Sequence, residues 1–332
     1  MKKFLILLFF LLISLPQFSD GQLSKLNGID IWWEEHGNKD NPPVLMIMGL
    51  NANSQRWPSE LIDGLVKNDF YVLTYDNRDT GKSSWPTEES LVVAFIKLMP
   101  NFVHEFVVEG LFDQMFDIEG KFNMTEVPSE YNLNDMALDG LALLDHLEIE
   151  KAHIVGASLG GMIGQIIALD HEERAISFTG IMTTPGFDTT GLSGPSKVYI
   201  EAMKESFILT LQDKHQEAYE VVNLPLLGSK YDSKEYLLSI LKLTEQHGNN
   251  SNSGHMTAVG ASPNRMNRLN EISIPTLVIH GSEDPLIPLD HGIAIANEIR
   301  NSTIYIMEGV GHNFPKEEIP EIIIKLTDHF NQ

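Results

Sequence analysis

Residues 151–164 read KAHIVGASLGGMIG, and this stretch decides the fold. An apolar run containing Ala152, Ile154 and Val155 ends in Gly156-Ala157-Ser158-Leu159-Gly160, and small residues open a helix directly behind it. This is a G-x-S-x-G pattern in the setting that gives it meaning, a strand turning sharply into a helix. Gly156 and Gly160 serve the turn because the backbone there is strained and the helix must pass close to the sheet. The product is a serine hydroxyl raised above the sheet edge. The pattern alone recurs by chance, so the rest of the chain must supply a base, an acid and an oxyanion hole.

On either side of this turn, strand and helix patterns alternate. Residues 28–35, 43–48, 70–75 and 175–183 read as strands; 43–48 (PVLMIM) is continuously apolar, as expected of a strand covered on both faces. Helical spacing runs through 54–67, with Leu61, Leu65 and Val66 inward. It recurs in 133–147, with Met136, Leu138, Leu141, Leu144 and Leu147 inward, and behind Ser158 as far as about His171. Near the C-terminus come a strand at 275–280, a helix at 289–300, a strand at 303–307 and a closing helix at 319–330. Such alternation implies an α/β fold: a mostly parallel sheet with helices on both faces.

Two segments interrupt it. Residues 84–130 hold helix-like apolar patches (91–99 and 102–116) and read as an insertion over one face. From Pro185 to about Asn270 strand signals vanish, and amphipathic patterns at 198–211 and 236–243 suggest an inserted helical cap. The expected organisation is a signal peptide at 1–21, a first part of the core at 22–184, the cap at 185–270, and a second part of the core at 271–332.

Parallel sheets of this kind bind ligands beyond the carboxyl ends of their strands. Met48 is followed by Gly49-Leu50-Asn51, Val155 by Ser158, His280 by Ser282-Glu283-Asp284-Pro285, and Met307 by Gly311-His312. A nucleophile, a carboxylate and a histidine in the order Ser, Asp, His is the order of the α/β hydrolases. A serine hydroxyl is a weak nucleophile at neutral pH and needs a neutral imidazole to take its proton. His312 suits that role, and Asp284 would fix its tautomer and stabilise the imidazolium. The backbone N–H groups of Leu50 and Leu159 would form the oxyanion hole, with Gly49 letting the chain turn towards the substrate.

Alternatives stand beside several of these readings. Glu283 and Asp188 are the other candidate acids, and His280 could line the site or be a buried structural histidine. The remaining ten histidines show no paired metal spacing, and neither His104-Glu105 nor His171-Glu172 continues to H-E-x-x-H, so neither a metal nor another cofactor is expected. Gly81-Lys82-Ser83 suggests a nucleotide loop, but that motif needs glycine where Asp76 stands. Asp76 and Arg78 are expected to form an ion pair bracing the turn.

A formal charge of −23 argues against nucleic acid or an anionic membrane surface as a partner. The chain has no cysteine, which removes disulfides, thiol nucleophiles and thiolate metal sites together. Lys2 and Lys3 followed by the apolar run 4–16 read as an export signal cleaved after Gly21, giving a periplasmic or secreted protein without stable membrane insertion. An uncleaved anchor is the alternative. The sequons at Asn123, Asn249 and Asn301 carry meaning only in a eukaryotic source.

Taken together, the motifs resemble the α/β-hydrolase superfamily over nearly all of the chain beyond the signal, and within it the aclacinomycin methylesterase-like branch. The resemblance rests on Met48-Gly49-Leu50-Asn51 with Arg56-Trp57-Pro58, on Tyr75-Asp76 and Arg78–Ser83, and on Met136-Ala137 with Asp139. It continues in Gly156–Gly161, His280-Gly281, Asp284–Pro288 and Gly311-His312. Asp79-Thr80 discriminates most, since most of the superfamily has glycine at the place of Asp79. The resemblance implies a cofactor-free serine esterase with Ser158, Asp284, His312, Leu50 and Leu159 in the roles given above. It implies less about substrate, because the 84–130 insertion is longer than in the methylesterases. The expected substrate is a small or medium, apolar carboxylic ester; the rivals are a proline-iminopeptidase-like amidase, a cofactor-free perhydrolase and a catalytically silent binding protein.

Overall fold

A computed structural model describes residues 21–87, 91–117, 128–186, 191–248 and 254–332. The signal expected at 1–21 therefore lies almost wholly outside the described residues, as does Asp188. The sheet has eight strands: β1 (Gln22–Leu26), β2 (Ile29–His36), β3 (Pro43–Ile47), β4 (Tyr71–Tyr75), β5 (Ala152–Ala157), β6 (Ala175–Ile181), β7 (Thr276–Gly281) and β8 (Ser302–Met307). Their order is β1-β2-β4-β3-β5-β6-β7-β8, with β1 and β2 antiparallel and the rest parallel.

Strand parity explains the layers. Successive side chains point to opposite faces of a strand, so Leu45 and Ile47 enter one apolar cluster while Val44, Met46 and Met48 enter the other. The first cluster is closed by α4 (Leu133–His146), α5 (Leu159–Asp170) and α10 (Leu289–Glu298), the second by α1 (Ser59–Lys67) and α11 (Ile319–Phe330). Both faces are covered, which is why β3 and β5 carry no polar alternation.

The chain between β4 and β5 adds α2 (Leu91–Lys97) and α3 (Asn101–Met115). Between β6 and β7 stand α6 (Lys197–Leu211), α7 (His215–Asn223), α8 (Lys234–His247) and α9 (Gly254–Gly260). Val108, Phe112 and Phe116 pack with Ile200 and Leu211 in a third apolar cluster, so α2 and α3 lean on α6 rather than on the sheet. The outer face of α3 keeps Phe102 and Phe106 exposed.

Several local expectations need correction. Leu138 is 40% exposed, unlike Met136, Leu141 and Leu144; it lies only two residues from Met136, half a turn away, so both cannot face the sheet. The helix expected from Ser54 starts at Ser59, because Pro58 halts the short 3-10 turn Ser54–Arg56. Strand β1 precedes the strands expected from the sequence, and its hairpin signal is Asn27-Gly28, both at positive φ (46° and 84°), which form a two-residue turn. Asp76 and Arg78 do not pair. Arg78 grips Asp139 through two bonds of 2.7 Å, while Asp76 accepts from Ser54 N–H and Oγ, Lys82 N–H and His247 Nε2. The consecutive residues of the turn diverge, so the two side chains serve different elements.

Candidate active site

Strand β3 is the point from which the connections part: its helix leads out to β4 on one side, and β5 lies on the other. Crevices of this kind receive ligands. Ile47 is in register with Gly156, so the loops after β3 and β5 leave the sheet side by side. Ser158 sits at φ 53°, ψ −118°, a strained conformation for a non-glycine residue. The elbow leaves no room for side chains: a Cβ on Gly156 would lie 2.1 Å from the Gly160 carbonyl oxygen, and one on Gly160 would lie 1.9 Å from that of Ile47. A Cβ on Gly49 would stand 3.1 Å from the Ser158 Cβ, which measures how closely the first loop approaches the serine.

Leu159 is the first residue of α5, so its N–H has no acceptor within the helix. The loop at 49–51 is held from several sides. Asn77 Nδ2 donates to the Met48 carbonyl at 3.0 Å, Ala52 N–H reaches back to the Gly49 carbonyl, and Asn51 N–H donates to His255 Nδ1 at 3.0 Å. His255 Nε2–H in turn donates to the Arg78 carbonyl at 2.7 Å. Both ring nitrogens are thereby assigned, and burial pushes the imidazole below its ordinary pKa, so His255 is neutral. Nothing in the sequence flags His255, because its two partners lie about two hundred residues away.

Asp284 and His312 meet. His312 Nδ1 donates to Asp284 Oδ2 at 2.6 Å, and since a carboxylate only accepts, Nε2 is left with the free lone pair. The other carboxylate oxygen accepts from Leu286 and Ile287 N–H at 2.9 and 2.8 Å, fixing the acid in place. His280 is wholly buried behind it, donating through Nε2 to the Ile287 carbonyl, with that nitrogen 3.5 Å from Asp284 Oδ2; desolvation lowers its pKa. Of the readings left open for His280, the structural one describes its position. Glu283 turns away and accepts from Ser229 N–H and Oγ.

Helical segments reach down to both loops. His312 N–H donates to the Leu226 carbonyl at 2.8 Å, Lys230 N–H to that of Gly309, and Ser196 N–H to that of Pro285. Among the described residues no cluster of three or more histidines or carboxylates could hold a metal ion, and no helix is long and apolar enough to cross a membrane.

An eight-stranded, mostly parallel sheet with a strained serine elbow after β5 and a carboxylate–histidine pair after β7 and β8 defines an α/β hydrolase. The family described as alpha/beta hydrolase fold matches residues 42–220, more than half of the chain, and the chain belongs to it. It is similar to rhodomycin D methylesterase of Streptomyces peucetius, with 26% identity over 308 residues, covering 86% of this chain and 90% of that one. Among solved structures it resembles the enol-lactonase from Burkholderia xenovorans (TM-score 0.68, 17% identity, 94% of this chain and 100% of that one). The esterase from Exiguobacterium antarcticum is similarly alike, at TM-score 0.67 and 16% identity, again over 94% and 100%.

Proposed function

We propose that the protein is a serine hydrolase that cleaves a small or medium carboxylic ester through an acyl-enzyme. The observation that carries this reading is the 2.6 Å bond from His312 Nδ1 to the Asp284 carboxylate, which leaves His312 Nε2 as a base on the side of the sheet where Ser158 is raised. Ser158 Oγ attacks the ester carbonyl as His312 takes its proton. The developing oxyanion is held by the N–H groups of Leu50 and Leu159, each worth on the order of 100- to 1000-fold in rate. His312 then protonates the departing alcohol, and water releases the acid by the same steps in reverse order.

The esterase relatives support ester over amide as the substrate class. The helices between β6 and β7 act as the cap over this site, with α2 and α3 extending it. Export rests on the pattern of residues 1–21 alone. The test is hydrolysis of p-nitrophenyl esters of increasing acyl length beside a prolyl arylamide. Ser158→Ala should abolish ester turnover; turnover that survives refutes the mechanism, and amide cleavage without ester cleavage moves the protein to the peptidases.

A further inference from the structure

Arg56 is a cation in an unusual place. Of the six arginines, Arg78, Arg174 and Arg268 hold carboxylates. Arg300 is exposed, and Arg265 is closed over at 3% exposure, with Nε on the Gln165 side chain, Nη1 on the Pro263 carbonyl and Nη2 buried out of reach of any ligand. Arg56 is half-buried, and among the described residues no carboxylate lies within ion-pair distance of it. Among the described residues its side-chain partners are the Asn223 side-chain oxygen, which accepts at 2.9 Å, and the Tyr219 hydroxyl. A guanidinium has five N–H donors in a planar fork, so most of its hydrogen-bonding capacity is unspent. Partial burial without a counter-charge is costly for a cation, and among the described residues the side chains that bond Arg56 are neutral.

The position of Arg56 gives this meaning. It follows the 49–53 loop by three residues, and its neighbour Trp57 packs on Phe314, two residues past His312. Asn223 opens the turn Leu224–Leu226, whose last carbonyl receives His312 N–H. Tyr199, on α6, is within electrostatic reach of both Arg56 and Asp284. Arg56 therefore stands where the first loop, the helical segments and the His312 loop converge.

We propose that Arg56, with Asn223 and Tyr219, is a carboxylate-binding subsite, and that the preferred ester carries a free carboxylate away from the scissile bond. A carboxylate would take two parallel N–H bonds from the guanidinium fork and provide the missing counter-charge. The substrate class is then the half-ester of a dicarboxylic acid, or a lactone or ester bearing an acid group. A single anionic group is enough; the −23 charge of the chain would repel a polyanion. This rests on the esterase reading and adds the substrate's charge to it.

The experiment compares monomethyl glutarate with methyl pentanoate, its neutral counterpart. The wild type should favour the half-ester in kcat/KM, and Arg56→Met should lower the ratio of the two by about 10- to 100-fold, mostly through KM, with Arg56→Lys recovering part of it. A ratio unchanged in Arg56→Met overturns the subsite and assigns Arg56 to tying the Ser54–Arg56 turn to the end of α7. Calorimetric binding of monomethyl glutarate to Ser158→Ala separates the two readings. Binding that is lost in Ser158→Ala/Arg56→Met supports the subsite even if the esterase reading fails; neutral-ester turnover with no selective binding leaves the esterase and removes the subsite. A thermal melt of each variant excludes misfolding, and if Arg56→Met does not fold, Arg56→Lys carries the same comparison.

Discussion

His255 and Asn51 lie 204 residues apart in the chain and meet at 3.0 Å, the Asn51 N–H donating to the imidazole Nδ1. Asn51 is at φ 51° and follows directly on Leu50, so a residue of α9 holds the loop that carries the proposed oxyanion donor. Replacing His255 by Leu leaves the Asn51 N–H and the Arg78 carbonyl unpaired. Each buried group left without a partner costs about 1–3 kcal/mol. The expected outcome is a lower melting temperature together with a fall of at least about tenfold in kcat, the size of a modest misplacement of the site. A variant with lowered stability but full kcat would separate the loop from catalysis.

Asp284 and Glu283 are adjacent but differently employed, one on His312 and the other on Ser229. Asp284→Asn should lower kcat by about 10,000-fold with little effect on folding, since the tautomer of His312 is no longer held. Glu283→Gln should stay within about threefold of wild type. Steady-state kinetics on one chromogenic ester decides between them, and the reverse ranking would transfer the acid's role to Glu283.

The buried pair Arg78–Asp139 is bidentate, with side chains 8% and 1% exposed. Removing only the acid, as in Asp139→Ala, strands a guanidinium in the interior and should cost about 3–5 kcal/mol in urea unfolding. The double replacement Arg78→Met/Asp139→Leu should recover much of that loss. If the double variant is as unstable as the single, the pair itself, and not the unpaired charge, is the source of stability.

Acid should destabilise the protein before its carboxylates titrate. His153 and His329 are buried near Phe330, and desolvation brings each down from 6.5 to about 4, with His329 adding to the effect on His153. The unfolded chain takes up these protons first, so the stability is intact above about pH 6.5 and is lost as pH falls from there towards 4. By pH 5 each contributes a loss of about 2 kcal/mol. Urea midpoints at pH 7 and pH 5 measure this. His153→Asn, which can keep a bond to Ser177, should flatten the dependence; an unchanged slope would place the acid sensitivity elsewhere.

Much of this molecule was legible without coordinates. Six of the eight strands follow from short apolar or β-branched runs, a seventh from the loosely alternating Trp32–Trp33 region, and β1 was announced only by Asn27-Gly28. Legibility failed where a residue's partner is remote or where two neighbours diverge. Asp76 and Arg78 have opposite charges two residues apart, which reads as a pair; the fold instead sends one towards α8 and the other towards α4. Helices α7 and α9 leave little periodic signal in the sequence, because one carries few apolar residues and the other is a short, glycine-bounded turn of chain.

The sequence by itself determined seven of the eight strands, the turn at Ser158 and the strand-end positions of Asp284 and His312, because strand periodicity and turn chemistry are local. Only the tertiary structure decided what surrounds them. The assignment of both nitrogens of His255, the diversion of Glu283 to Ser229 and the pairing of Arg56 with Asn223 all depend on which distant segments pack together. A hydrogen bond across two hundred residues leaves no periodicity in the chain, since its energy is realised only when the two loops have already been brought within 3 Å.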